Sequence, residues 1–240
     1  MIGAFVSSEV KKWTRDPFMV FMLIYPLLFA LVGRYLIPYV AESSDFMLEA
    51  FSDIVLVALL LFCPAIYGAV VGFSILDDRD DNILISVQVT PLDVHQFLSV
   101  RLVLASFMTF ATCLFIIWFT GLVTMTTAEA ATISLMIALG TPVVGFLINS
   151  LSSNKVEGFA IMKGFGTASL FPLVGLFFFD VKELLFSVVP GFWPAKMIGI
   201  IFRGEGIHFL SYNQYLWIGL VYIALATFFV FGVFRRKLNL

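Results

Sequence analysis

The chain has 240 residues, of which 61% are hydrophobic and only 12% are charged, and its formal net charge is −2. Soluble globular domains are about 45–50% apolar and about 25% charged, so this composition excludes an ordinary soluble fold. The apolar stretches are continuous rather than alternating, which predicts membrane-spanning helices rather than the strands of a barrel. The near-neutral charge gives no indication of a nucleic-acid partner, and we expect none.

Residues 1–16 predict a short helix that lies in the membrane interface. Phe5, Val6, Val10 and Trp13 are close to helical spacing, and we expect Trp13 at the level of the lipid headgroups. A disordered tail is the alternative. No cleavage site follows, so we expect this helix to be retained. Pro17 fits the first turn of a helix and opens the first span.

Six apolar segments reach the about 20 residues that a spanning helix needs. We predict spans at about residues 18–38, 51–76, 97–123, 130–148, 158–179 and 213–234, all within one transmembrane domain covering residues 1–240. Gly68 and Gly72 form a GxxxG pair in the second span, and this spacing lets another helix approach closely. Cys63 and Cys113 lie inside apolar runs and predict neither a disulfide framework nor a metal site.

Residues 183–203 predict a re-entrant or interfacial hairpin before the last span. Two apolar pieces flank Pro190 and Gly191, and each is too short to cross a bilayer. One kinked spanning helix is the alternative, but it would place Lys182, Lys196 and Arg203 poorly and would give an odd number of spans.

The distribution of lysine and arginine predicts the orientation, because cytoplasmic loops carry an excess of both. With both termini and both polar islands on one side, ten of the 14 cations lie on that side. They are Lys11, Lys12, Arg15, Arg79, Arg101, Lys155, Lys163, Arg235, Arg236 and Lys237. We therefore expect a multi-pass protein of the cell membrane with cytoplasmic termini and the hairpin outside.

The longest polar island, residues 74–101, separates the second span from the third. Its acidic cluster consists of Asp77, Asp78, Asp80 and Asp81, with Arg79 among them. The spacing lacks the glycine and the terminal glutamate of an EF-hand loop, so a metal site is the weaker alternative to a solvated cluster or a surface for a basic partner. Residues 83–89 alternate as in a strand, but residues 83, 84 and 87 also share a helical face, and an isolated strand would lack hydrogen-bonding partners. We therefore expect a helix here.

Proline 91 must interrupt this helix, and Thr90 or Asp93 can then cap a short helix over residues 94–99. A second, smaller polar island at residues 149–157 includes Asn154, Lys155 and Glu157. The sequence contains no GxxxxGK[ST], HExxH or GxSxG motif, so it predicts neither a nucleotide-binding P-loop nor a familiar hydrolase site.

Three stretches resemble ABC-2-type ABC transporter permeases, namely DPFMVFMLIYPLLFALVGRYLIP, LDDRDDNILISVQVTPLDVHQFLSVRL and NKVEGFAIMK. The resemblance covers essentially the whole chain. It implies six spans, an interfacial N-terminal helix, a cytoplasmic coupling helix between spans 2 and 3, and an outward-facing hairpin of half-helices before span 6. It also leans towards the export of drugs, such as fluoroquinolones, or of antimicrobial peptides such as bacteriocins.

In this family the coupling helix docks into a cleft of a separate ATPase. The resemblance therefore implies two ATP-binding cassette subunits, which bind ATP and Mg²⁺, and a second permease, either a copy or a paralogue. The permease itself would need no cofactor and would have no catalytic residue. The implied docking residues are Asp77, Asp78, Arg79, Asp80, Asp81, Thr90, Pro91, Leu92, Asp93, His95, Asn154, Lys155 and Glu157.

Two other functions stay open at this point. An integral-membrane enzyme acting on lipids would require acidic, histidine or serine side chains buried together on one side of the membrane. A membrane anchor or sensor would share the docking loop but would move no substrate.

Overall fold

The computed structural model describes residues 2–44, 47–81 and 94–238, and within these ranges the chain is helical and has no strand. Among the described residues, six segments are long and apolar enough to cross a membrane, which confirms the predicted all-α membrane fold. In chain order, spans 1 to 6 are Pro17–Ser43, Leu48–Asp80, Phe97–Thr120, Thr127–Leu151, Lys155–Gly175 and Tyr212–Lys237. Spans 3 and 5 end earlier than predicted, and the others extend beyond their predicted bounds.

Side-chain caps and local interruptions set the bounds of these helices. The carboxylate of Asp16 accepts a hydrogen bond from the Phe18 amide, and Pro17 occupies the first turn, as the Asp-Pro pair predicts. A capping box of Thr126 and Glu129 opens span 4. Span 4 consists of helices Thr127–Ala138 and Thr141–Leu151, and span 5 of Lys155–Ala168 and Leu170–Gly175. The helices of spans 3 and 6 are Val94–Thr120 and Tyr212–Leu238.

Span 1 contains a π-helical turn. Its α-helices Pro17–Leu31 and Ile37–Ser43 are joined by the π-turn Val32–Leu36. Gly33 lies at the closest approach to the neighbouring spans, because a Cβ atom there would be 2.7 Å from a Leu59 methyl and 2.8 Å from a Thr120 methyl. The π-turn inserts one residue into the helical repeat, so the two halves of span 1 present different faces.

Span 2 is the centre of the bundle. Of the 18 most apolar consecutive residues in span 2, 72% are buried within the protein. The corresponding share is 22% in spans 1 and 5 and 17% in span 6, so these peripheral spans have large faces that no other part of the chain covers. The helix continues through Pro64. Gly68 packs directly on span 4, since a Cβ atom there would lie 2.7 Å from Val144 Cβ. Gly72 meets Ile148 in the same way at 3.1 Å, so the GxxxG pair is a close helix contact within the chain.

The N-terminal helix Ile2–Arg15 packs one face against the bundle. This face differs from the predicted apolar one, because Trp13 is only 1% exposed whereas Val10 is 43% exposed. The position of Trp13 at headgroup level stays a prediction, but its side chain is buried in the protein. The reason is that Glu9 and Lys12 turn inward with Trp13 to reach charged partners in spans 2 and 3.

The chain between spans 5 and 6 consists of short helices. A 3₁₀ helix Val181–Phe186 is capped by Asp180, whose carboxylate accepts from the Lys182 amide. The α-helix Phe192–Arg203 follows after the turn at Pro190 and Gly191, and a second 3₁₀ turn, Glu205–Ile207, leads to span 6. The first arm is thus a single 3₁₀ helix, not a half-length α-helix. Whether this segment re-enters the membrane remains a prediction.

Candidate docking surface and buried ion clusters

Four charged side chains meet at the Asp80 end of span 2. Arg101 of span 3 donates to Asp78 of span 2, and its other terminal nitrogen, Nη2, lies 2.6 Å from Oε1 of Glu9 in the N-terminal helix. Lys12 Nζ lies 2.6 Å from the second oxygen, Oδ1, of Asp78. We call Glu9, Lys12, Asp78 and Arg101 the ion clamp.

Three members of the ion clamp are almost completely buried, whereas the Lys12 side chain is 33% exposed. The side chains of Arg101, Asp78 and Glu9 are 2%, 1% and 5% exposed, and the Arg101 guanidinium also lies 4.2 Å from the centre of the Phe97 ring. Two carboxylates and two cations balance the charge, which such deep burial requires. The clamp fixes span 2 to span 3 and to the N-terminal helix on either side of residues 82–93.

The members of the acidic cluster have different surroundings. Asp78 is turned inward and its side chain is only 1% exposed, whereas the sequence-based prediction placed it on the docking surface. Asp80 and Asp81 are exposed. Asp77 is partly buried and pairs with Lys155 at 2.8 Å, and Arg79 donates to the Asn149 carbonyl at 3.4 Å. The two polar islands, far apart in sequence, are therefore neighbours in space.

The second island carries its own cap and one further contact. The exposed Asn154 accepts from the Glu157 amide at 3.0 Å, and Glu157 accepts from the Ser153 amide and the Asn154 side chain. Both residues therefore have a structural role at the start of span 5. Lys237 at the end of span 6 donates to the Ser152 carbonyl at 2.7 Å, which brings span 6 to the same surface.

The middle of the predicted coupling segment lies outside the described residues, and this includes Thr90, Pro91, Leu92 and Asp93. His95 lies in the first turn of the helix Val94–Thr120. Residues 94–99, predicted as a short separate helix, are instead continuous with span 3.

A second group of buried charges lies near the Asp53 end of span 2. Lys196 Nζ is 2.7 Å from Glu183 Oε2, and both side chains are fully buried. The Tyr215 hydroxyl donates to Glu183, and Lys196 also donates to the Phe178 carbonyl. Burial lowers the pKa of Lys196, and Glu183 opposes this effect. Since both charges are closed off and satisfied by each other, they are poor candidates for groups that attack a substrate.

Asp53 and Arg203 form another ion pair at this end. Both Asp53 oxygens accept from the guanidinium, at 2.7 and 3.1 Å, in the bidentate geometry typical of strong pairs. His208 lies nearby, with its ring 5.3 Å from that of Phe179. Burial, and secondarily the charge of Lys196, lower the pKa of His208 to about 4, so this imidazole is neutral near pH 7.

Sequence reasoning missed both sets of ion pairs. Lys12 and Arg101 were counted only among the cations of the cytoplasmic side, and Glu9 was assigned no role. One signal was available, because a charge inside or beside an apolar span usually has a partner of opposite sign. Among the residues described, no three His, Cys, Asp or Glu side chains are grouped so as to hold a metal ion.

A family model and two curated relatives indicate the same kind of protein. A family model described as "Fluoroquinolones export permease protein Rv2686c-like" matches residues 9–231. Two Mycobacterium tuberculosis proteins, the fluoroquinolones export permease protein MT2760 of strain CDC 1551 / Oshkosh and Rv2686c of strain ATCC 25618 / H37Rv, are each 28% identical over 249 residues. Each alignment covers 98% of this chain and 94% of the relative. No solved structure matches.

Proposed function

Because the chain belongs to the Rv2686c-like family of fluoroquinolone export permeases, we propose that it is the membrane subunit of an ATP-driven exporter. It lacks a P-loop motif, so separate ATP-binding cassette subunits would bind ATP and Mg²⁺ and hydrolyse the nucleotide. A second permease, either a copy or a paralogue, would complete the pathway. The uncovered faces of spans 1, 5 and 6 support this requirement for a second permease.

The observation that carries the proposal is the ion clamp. It joins the last turns of span 2 to the helix of span 3, where Arg101 lies about two turns after Val94. Residues 82–93 are therefore connected at both ends to helices that are held together. A push on this segment by an ATPase would move spans 2 and 3 and the N-terminal helix as one body rather than bend a loose loop.

We assign the docking surface to residues 80–95 together with the exposed Asn154 and Glu157. Asp80 and Asp81 provide negative charge at its edge, and the Asp77–Lys155 pair connects its two parts. Asp78 belongs to the support of this surface and not to the surface itself. In this arrangement the Asp80 end of span 2 is cytoplasmic, together with both termini, and the helix Phe192–Arg203 lies towards the exterior.

Co-purification tests the docking. The full chain is expressed with a candidate ATP-binding cassette subunit from the same organism. Leu92→Ala/His95→Ala and Asp80→Lys/Asp81→Lys are compared with the control Asp180→Lys, whose exposed site lies towards the Asp53 end. Both double variants are expected to lose the ATPase, whereas the control retains it. If both double variants still bind the ATPase, the docking assignment is wrong.

Cysteine labelling tests the orientation. Cys63 and Cys113 are buried and give little background. An impermeant maleimide added to intact cells is expected to label Gly206→Cys, and to label Asp81→Cys only after the membrane is opened. The reverse pattern would place the docking surface outside the cell and contradict the coupling role.

The substrate class follows from the relatives. Both are named fluoroquinolone export permeases, and we propose export of a hydrophobic or amphipathic drug-like compound. Transport of a fluorescent fluoroquinolone into inverted vesicles that contain the complete complex tests this directly. Docking of the ATPase without ATP-dependent uptake would favour a sensor over a transporter.

A further inference from the structure

Lys163 is a cation placed inside a span. It lies about two turns, or about 12 Å, beyond Lys155, where span 5 begins, while the apolar core of a bilayer is about 30 Å thick. Its side chain is exposed on the surface of the chain. No hydrogen bond or ion pair joins its ammonium group to any residue that the structure describes, although an unpaired charge at this depth is costly.

A second copy of the chain cannot supply the missing anion at this depth. Residues 17–41, 54–76, 97–120, 130–151, 158–175 and 212–237 contain no Asp or Glu. A homodimer formed through this face would bring apolar, amide or hydroxyl side chains to Lys163, but no carboxylate. In a homodimer, the anionic partner of Lys163 must therefore come from outside the protein.

Lys163 lines a groove between spans 1, 2 and 5 with a volume of about 420 Å³, within the usual range for small-molecule sites. Its walls are aromatic, formed by Phe18, Phe21, Tyr25, Phe62 and Phe159. The Phe21 and Tyr25 rings lie 5.2 Å apart, as do those of Phe18 and Phe159. The remaining lining is almost entirely apolar, so Lys163 is the cation that faces this groove.

Space beside the lysine is open. A Cβ atom at Gly164 or Gly166 would meet nothing within 4 Å, so the chain itself does not fill the adjoining face of span 5. Tyr25 and Phe21 are 38% and 57% exposed, and their rings are available to a ligand. Flat aromatic walls favour a planar ring system over a flexible acyl chain, because ring pairs gain from offset or edge-to-face contact.

We propose that this groove binds a planar aromatic amphiphile that carries a carboxylate, with the carboxylate on Lys163 and the ring system between the aromatic side chains of spans 1, 2 and 5. This site rests on the proposed transport function and locates the substrate within the chain. The groove lies in the half of the membrane next to the docking surface, because Phe18 and Phe159 are near the starts of spans 1 and 5. A substrate would enter it from the cytoplasmic side.

Direct binding tests the site. The full chain, reconstituted in phosphatidylcholine nanodiscs, is titrated against norfloxacin and its methyl ester, with fluorescence anisotropy as the readout. Lys163→Met is expected to weaken norfloxacin binding about tenfold, the equivalent of one charge-assisted hydrogen bond, and to leave the ester unchanged. Lys163→Arg retains the affinity, and Phe21→Leu weakens both compounds. Lys182→Met removes an exposed lysine near the Asp53 end and serves as the matched control.

Three results would overturn the proposal. Wild-type protein that binds neither compound lacks the site. Equal norfloxacin affinity in wild type and Lys163→Met would mean that the lysine serves lipid headgroups. An equal loss for acid and ester would show a structural effect without carboxylate recognition. Co-purification of Lys163→Met with the ATPase separates these failures from failure of the transport function, because the docking surface is unaffected by this substitution.

Discussion

Lys196 and Glu183 form an ion pair in which Nζ and Oε2 lie 2.7 Å apart and neither side chain is exposed. The pair links the 3₁₀ helix Val181–Phe186 to the helix Phe192–Arg203, and Tyr215 connects Glu183 to span 6. The two short helices and span 6 are therefore held together near the Asp53 end of span 2 by this one ion pair and its tyrosine contact.

Lys196→Met is expected to destabilise the protein by about 3–5 kcal/mol, because it leaves a buried carboxylate without its partner. The double variant Glu183→Gln/Lys196→Met should recover most of this loss, since neither charge then remains. Thermal unfolding in nanodiscs measures both effects. Lys182→Met, at an exposed site, should change stability by less than about 0.5 kcal/mol. A double variant as unstable as the single one would contradict the charge argument.

Arg101→Met is expected to release the N-terminal helix from the bundle. It removes the ionic partner of Glu9 and leaves Asp78 with Lys12 alone. Amide hydrogen exchange over residues 2–15 should accelerate by about tenfold or more, because each 1.4 kcal/mol lost from the closed state raises the open population tenfold. The exposed Arg15 provides the matched control in Arg15→Met. Unchanged protection in Arg101→Met would show that Trp13 and its apolar contacts hold the helix without the ion clamp.

Gly68→Ala is expected to cost about 1–3 kcal/mol of stability, the usual range for overpacking. The added carbon would lie 2.7 Å from Val144 Cβ and 2.8 Å from the Thr141 carbonyl oxygen, so spans 2 and 4 must separate. Gly164→Ala adds the same carbon where no atom lies within 4 Å, and it should be neutral or slightly stabilising. Thermal unfolding of the two variants gives the comparison, and similar values for both would contradict the close packing.

Acidification is expected to destabilise the surroundings of His208. The pKa of His208 is lowered to about 4 by burial, then by Lys196 and Arg203, while Asp53 acts in the opposite direction. An unfolded histidine has a pKa of about 6.5, so between these values the unfolded state binds more protons and stability falls as the pH falls. His208→Gln should lose stability less steeply than wild type from pH 6.5 to pH 4. Parallel melting-temperature curves would show that other groups dominate.

Features that depend on neighbouring residues were the most predictable. The six spans follow from apolar length, the start of span 1 follows from Asp16-Pro17, and the close approach at Gly68 and Gly72 follows from their spacing. Each of these features depends on residues within a few turns of one helix. A sequence pattern can be read over that same distance, so these features can be predicted from it.

Features that depend on distant residues were not predictable in this way. Glu9 and Arg101 are separated by 92 positions, and Asp53 and Arg203 by 150. Helical periodicity indicates which residues share a face, but it gives no information about which charges on different helices will meet. For the same reason the sequence did not predict that Asp78, a member of the acidic cluster, is buried beside Arg101.

The π-turn Val32–Leu36 has a consequence for reading related sequences. An added residue in one turn shifts the helical phase by about 100°, so positions that face lipid before the turn and after it follow two different registers. A helical wheel drawn with one register for the whole of span 1 would therefore place the residues after the π-turn on the wrong face of the helix. Homologues that lack the extra residue should show a corresponding single deletion between positions 32 and 36, and their variable positions should be compared separately on the two sides.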